Sequence, residues 1–171
     1  GSTNRTHLED YEKEISKNTK ILLWVHTSNY IMKGYTKEVP LEDIVSIGKK
    51  HKIPVVADLG SGSFIDMSKF DISAEIPVSE IVKKGPDITL FSGDKMLGGP
   101  QSGIILSTKI LINIIKSNSI YRTVRCDKIT IAILDDILRS YKKNGFLKSN
   151  LALMLLTRDR KNLKKIAEEI I

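Results

Sequence analysis

The chain has 171 residues, 41% hydrophobic and 27% charged, which suits one ordinary globular domain with its own core and excludes a disordered chain. No apolar run approaches the roughly 18–20 residues that a membrane-spanning helix needs, the opening Gly1-Ser2-Thr3-Asn4-Arg5-Thr6 is not expected to be a signal peptide, and the single cysteine, Cys126, excludes an internal disulfide framework. A formal charge of +7 favours a polyanionic partner such as RNA, but the cations (Lys49, Lys50, Lys52; Lys83, Lys84; Lys142, Lys143; Lys161, Lys164, Lys165) are dispersed as on the wet faces of helices.

Thr6 followed by Glu9 has the spacing of a capping box and predicts a short helix from His7 to about Lys17. Ile21 to Val25 is an apolar run that predicts a buried strand opening into the polar loop His26-Thr27-Ser28-Asn29-Tyr30. After Pro40, the residues Leu41, Ile44, Val45 and Ile47 recur at helical spacing up to Lys50. A second strand, Ile53 to Ala57, ends in Asp58-Leu59-Gly60-Ser61-Gly62, and after a helix from Pro77 to Lys84 a third covers Ile88 to Phe91. Ile104 to Leu106 forms a fourth, after the turn around Gly98-Gly99-Pro100.

Two longer helices follow, Lys109 to about Asn118 and Asp127 to Gly145. The second carries Ile129, Ala132, Ile133, Asp136, Ile137 and Tyr141 along one side, with the glycine as its C-cap. Leu151 to Leu156 and a basic helix to Ile171 complete the chain. Helices alternating with short β-branched strands predict an α/β fold, a mostly parallel sheet flanked by helices. The third and fourth strands are too closely linked for a crossover helix, so their pairing is expected to be antiparallel. The loops starting at His26, Asp58 and Ser92 then share the carboxyl edge, where ligands gather in such sheets.

The segment Ser92-Gly93-Asp94-Lys95-Met96-Leu97-Gly98-Gly99-Pro100-Gln101 sets a lysine just after a strand on a glycine-rich turn. A lysine whose pKa is lowered by burial or a nearby cation attacks carbonyls and can form an imine with an aldehyde cofactor. The same pattern also suits a plain surface turn, and the P-loop spacing is absent. Asp58 could hold a proton on the ring nitrogen of pyridoxal phosphate, making the ring an electron sink, or simply cap a turn. Gly60-Ser61-Gly62 is a weak dinucleotide fingerprint because Ile65 occupies the third glycine position. His26 could stack on a flat ring and Asn29 could bond its hydroxyl. Arg122 and Arg125 could present two guanidinium forks to one anion, or remain solvated. His7, His26, His51 and one cysteine offer no zinc spacing, so no metal is expected.

Together these segments resemble the bacterial selenocysteine synthases, the L-seryl-tRNA(Sec) selenium transferases. The likeness runs in order through Gly1 to Thr6, Val25 to Tyr30, Gly34 to Val39, Val56 to Gly62, Phe91 to Gln101 and Arg122 to Lys128. It implies the aspartate-aminotransferase-like (fold type I) large domain of pyridoxal-phosphate enzymes over residues 1–145, with a small C-terminal domain starting at 146–171. Lys95 would carry the cofactor as a Schiff base and later shuttle protons. Asp58 would face the ring nitrogen, and His26, Asn29 and Ser92 would complete the cofactor site.

The implied reaction converts L-seryl-tRNA(Sec) to selenocysteinyl-tRNA(Sec) through an aminoacrylyl intermediate, with selenium from selenophosphate. Arg122 and Arg125 would form the selenophosphate site, and basic surface would contact tRNA phosphates. A homo-oligomer in the cytoplasm is expected. Departures from the family pattern are Ser2 for threonine, Pro86 for alanine and Cys126 for an aliphatic residue. The family's phosphate-cupping glycine turn before the first strand is absent, and the chain is expected to be a fragment of a larger subunit. Related pyridoxal-phosphate lyases that eliminate ammonia from amino sugar acids, or a non-catalytic RNA-binding remnant, are the alternative readings.

Overall fold

The computed structural model describes residues 4–30, 32–72 and 75–170; Gly1-Ser2-Thr3 of the first matching segment and the terminal Ile171 lie outside them. Four strands form one sheet in the order β1-β2-β3-β4: β1 (Leu22–Val25), β2 (Val55–Asp58), β3 (Ile88–Ser92) and β4 (Gly103–Ser107). β1 pairs with β2 and β2 with β3 in parallel, whereas β3 and β4 run antiparallel, as their short link requires. In β2, Val55, Val56 and Ala57 are all buried, the continuous apolar run of a parallel strand covered on both faces.

The first crossover is α2 (Leu41–His51), which buries Leu41, Ile44, Val45, Ile47 and Gly48. Fully burying a side chain such as Ile44 contributes about 1.5–3 kcal/mol. Gly48 permits the contact: a β-carbon there would lie 2.4 Å from Val55 Cγ2 and 2.8 Å from the Ile53 carbonyl oxygen. The second crossover passes through a 3-10 turn (Met67–Phe70) and α3 (Val78–Lys83).

Before the sheet lies α1 (Leu8–Glu14), and its start corrects the expected capping box by one residue. His7, not Thr6, is the N-cap, and its N–H donates to Asp10 Oδ2 at 2.8 Å. The helix also stops earlier than Lys17, because Ile15 is already extended.

After β4 come α4 (Lys109–Ser117), the single turn α5 (Tyr121–Val124) and α6 (Lys128–Lys142), with Asp127 capping α6 through the Thr130 amide at 2.8 Å. The inward face of α6 differs from expectation: Leu134, Ile137 and Tyr141 pack on the core, whereas Ile129 and Ile133 are exposed. Its end differs too. Asn144, at φ 56°, takes the left-handed position expected of Gly145, whose own φ is −91°. The amides of Asn144 and Gly145 donate to the carbonyls of Tyr141 and Ser140, the paired bonds of a Schellman ending. Three further helices follow, α7 (Phe146–Ser149), α8 (Leu151–Leu156) and α9 (Arg160–Ile170).

Candidate active site

The parallel register aligns Val25 with Asp58 and Asp58 with Leu90, so three strand ends open on one edge. Backbone bonds continue across that edge beyond the strands. The His26 amide donates to the Asp58 carbonyl at 2.8 Å, and the Leu59 amide to Leu90 at 2.9 Å. The His26 ring stacks on Trp24, with centroids 5.9 Å apart and planes at 12°. Asn29 lies exposed in the loop that follows.

Asp58 is half-buried, and its Oδ1 accepts the Gly60 amide at 3.1 Å, which anchors the carboxylate to its own turn. Gly60 has φ +65°, and a β-carbon on it would come within 3.3 Å of Ser28 Oγ, so the loop after His26 lies directly over this turn. Gly62 is more constrained: at φ +71°, a β-carbon would lie 2.6 Å from Phe91 Cδ2 and 2.9 Å from the Ser92 carbonyl oxygen. Ser61, buried, donates its hydroxyl to the Glu75 carboxylate.

The lysine turn is joined to the aspartate turn at two points. The Ser92 amide donates to Gly60 and the Met96 amide to Ser61, each at 3.1 Å. Within the turn, Gly93 donates to Ser102 at 2.8 Å, Gly99 to Gly93 at 2.7 Å and Gly98 to Lys95 at 3.0 Å. Ser92 is half-buried at its start, and the Lys95 side chain is exposed. The structure thus brings together the backbone segments of His26, Asp58, Ser92 and Lys95, and shows no hydrogen bond of the exposed Asn29 with them.

Arg122 and Arg125 sit apart from that junction, Arg122 within α5 and Arg125 at its C-terminal cap, both exposed. Arg125 borders an apolar groove of about 790 Å³ together with Ser102, Ile112, Tyr121, Cys126 and Leu134. The same Ser102 and Leu134 abut Gly93 and Gly99, so the groove backs onto the lysine turn. Among the described residues, no group of His, Cys, Asp or Glu side chains is arranged to hold a metal ion, and no helix is long and apolar enough to cross a membrane.

Sequence reasoning missed the support beneath the lysine turn. Asn150, 4% exposed, donates through Nδ2 to the carbonyls of Met96 at 3.1 Å and Leu97 at 2.9 Å. The Tyr141 hydroxyl reaches Leu97 at 3.1 Å, and its ring packs between Phe64 and Phe146. Burial pushes the Tyr141 phenol above the ordinary tyrosine range, opposed by its hydrogen bond from Asn150. The residue type of Asn150 before an apolar helix signals a cap, but no local pattern signals its bonds to residues so distant in sequence.

The mostly parallel four-stranded sheet with its flanking helices is an α/β fold, shared with solved pyridoxal-phosphate enzymes of fold type I. The chain superimposes on D-glucosaminate-6-phosphate ammonia-lyase with a TM-score of 0.65 at 22% identity, covering 84% of this chain and 35% of that one. It is also similar to a PLP-dependent aminotransferase from Streptococcus suis, with a TM-score of 0.54 at 19% identity, covering 86% and 39% of the two chains.

The family model SelA, L-seryl-tRNA selenium transferase, matches residues 1–171, and the chain belongs to that family. It is 45% identical over 171 residues to the L-seryl-tRNA(Sec) selenium transferase of Mannheimia succiniciproducens, covering 99% of this chain and 37% of that protein. To the protein of the same name from Clostridium botulinum strain Loch Maree it is 50% identical over 141 residues, covering 82% and 30%. The chain therefore spans about a third of the length of these relatives.

Proposed function

We propose that the chain forms the central catalytic part of an L-seryl-tRNA(Sec) selenium transferase, in which pyridoxal phosphate is held by Lys95. The observation that carries this reading is the hydrogen bond from the Met96 amide to the Ser61 carbonyl at 3.1 Å, which ties the lysine turn to the turn that follows Asp58. The residues present fit the cofactor chemically: a primary amine, a carboxylate and a flat imidazole stand on adjoining loops at one edge. Gly60 leaves open the space beside Ser28 Oγ that a side chain would fill.

When bound, the cofactor supplies a reactive aldehyde carbon and an electron-accepting ring. Lys95 Nζ would hold that aldehyde, and its amine, when free, would take a proton from the substrate α-carbon. The Asp58 carboxylate would keep a proton on the ring nitrogen. His26 would lie along one face of the ring, Asn29 would bond its hydroxyl, and Ser92 would line the site. Arg122 and Arg125 would bind selenophosphate; in the net change the seryl β-hydroxyl leaves as water, selenium takes its place as a selenol, and water cleaves the Se–P bond so that phosphate is released.

In the same reading residues 1–145 belong to the large domain and 146–171 begin the small one. Basic surface contacts the tRNA, and the protein acts as a cytoplasmic homo-oligomer. Some lysines pair with carboxylates, such as Lys50 with Glu12 at 2.7 Å and Lys84 with Glu42 at 3.0 Å, and such surface pairs are weak enough to exchange for a phosphate. Two transferases at 45% and 50% identity favour this substrate over the amino sugar acid of the ammonia-lyase, whose likeness at 22% concerns the fold.

The test is to incubate the intact protein with pyridoxal phosphate, reduce with borohydride and map the modified peptide. Label on Lys95 is expected, and label elsewhere or none refutes the assignment. Selenophosphate-dependent turnover of seryl-tRNA(Sec), against ammonia release from amino sugar acids, then separates the two enzyme classes.

A further inference from the structure

We propose that Asn150, assisted by Tyr141, is a positioning residue that fixes the lysine turn from below by holding the carbonyls of Met96 and Leu97. This rests on the reading of Lys95 as the cofactor lysine. Both ends of the Asn150 carboxamide are engaged. Oδ1 accepts the Leu153 amide at 3.1 Å and starts α8, while Nδ2 faces Met96 O at 3.1 Å, Leu97 O at 2.9 Å and the Tyr141 hydroxyl at 2.9 Å. Acceptors around the nitrogen and a donor at the oxygen allow only one orientation of the amide.

A helix cap requires the oxygen alone, and aspartate or serine provides it equally well. The nitrogen serves the turn and the Tyr141 hydroxyl that also holds it. The Tyr141 hydroxyl backs it up, reaching the same carbonyls at 3.3 and 3.1 Å. The fit is close: at Gly98, φ +76°, a β-carbon would lie 2.4 Å from Asn150 Nδ2. The segment just past Lys95 is thus held at its carbonyls by α6 and α8, while its Met96 amide is held by Ser61.

The test uses Asn150→Asp, which keeps the cap oxygen and removes the donors, and Tyr141→Phe, which keeps the ring between its aromatic neighbours. Hydrogen–deuterium exchange is followed in the intact, cofactor-free protein for the peptide 92–101, with the Leu151–Leu156 helix as control. The rate of borohydride-trapped adduct formation at Lys95 is measured alongside. Losing one such bond shifts an opening equilibrium roughly two- to tenfold, so exchange of the turn quickens by about that factor in Tyr141→Phe and by more in Asn150→Asp, which loses the donors to both carbonyls. Adduct formation slows in parallel, with the control helix unchanged.

Unaltered exchange of the turn in both variants overturns the proposal, as does equal loosening of turn and control helix. If Asn150→Asp does not fold, Tyr141→Phe decides on the same criteria. Failure of the unmodified protein to form an adduct at Lys95 would instead reject the cofactor reading, and with it the purpose assigned to Asn150, while the exchange data still report whether the clamp exists.

Discussion

Gly98 and Asn150 touch so closely that no side chain fits between them: a β-carbon on residue 98 would lie 2.4 Å from the carboxamide carbon and nitrogen of Asn150. Because Gly98 is also left-handed, at φ +76°, Gly98→Ala incurs backbone strain of roughly 1–2 kcal/mol and overpacking of about 1–3 kcal/mol. Urea unfolding of the variant is expected to show a loss of roughly 2–4 kcal/mol. A loss below about 0.5 kcal/mol, the level of a neutral surface change, would mean the contact is not present in solution.

Gly48→Ala tests the packing of α2 on β2. In an exposed helix interior this change gains about 1 kcal/mol, but here the new methyl meets Val55 Cγ2 at 2.4 Å and the Ile53 carbonyl at 2.8 Å. Overpacking against backbone dominates, and a net destabilisation of about 1–2 kcal/mol is expected by chemical denaturation. A stabilised variant would show that the helix stands farther from the sheet.

For the proposed chemistry, Lys95→Ala removes the only amine assigned to the cofactor, so the borohydride-trapped adduct should vanish while the circular dichroism spectrum persists. Asp58→Asn keeps an oxygen able to accept the Gly60 amide, which Oδ1 now does at 3.1 Å, so the fold should hold. Turnover should nevertheless fall roughly ten- to hundredfold, the worth of a charge-assisted hydrogen bond. Full turnover in Asp58→Asn would exclude the carboxylate from that role.

Asp127 predicts a pH effect on α6. The Thr130 amide bonded to its carboxylate holds its pKa below the ordinary aspartate value. A carboxylate with a depressed folded-state pKa adds stability above the unfolded value, about 3.9, and loses it as the pH falls through the folded one. Asp127→Asn retains a cap acceptor without the charge. The acid side of its unfolding curve should therefore be shallower below about pH 4, and an unchanged slope would count against the cap.

Strands, edge loops and the antiparallel return of β4 were legible because Ile21 to Val25, Ile53 to Ala57 and Ile88 to Phe91 are short apolar runs that break into polar, glycine-rich turns. Where several residues could satisfy one local rule, the reading slipped. Thr6 and His7 both precede an acidic residue at the right spacing, and tertiary context chose His7. Asn144 and Gly145 both tolerate the left-handed region, and Asn144 took it. Helix α6 carries isoleucine or leucine on nearly every side, so periodicity could not single out Leu134, Ile137 and Tyr141 as the inward set. The lysine turn itself was readable from its glycines. Its support by Asn150 was not, since that contact joins residues far apart in the chain.

The antiparallel course of β4 has a consequence for how a ligand would be received. The backbone of Lys95, on a hairpin connection whose flanking strands are laddered from Ile88↔Ser107 to Ser92↔Gly103, inherits its position from folding and not from the arrival of a guest. Little backbone ordering entropy then remains to be lost at encounter, so this edge should tighten little on a flat aldehyde for as long as Tyr141 and Asn150 hold the turn.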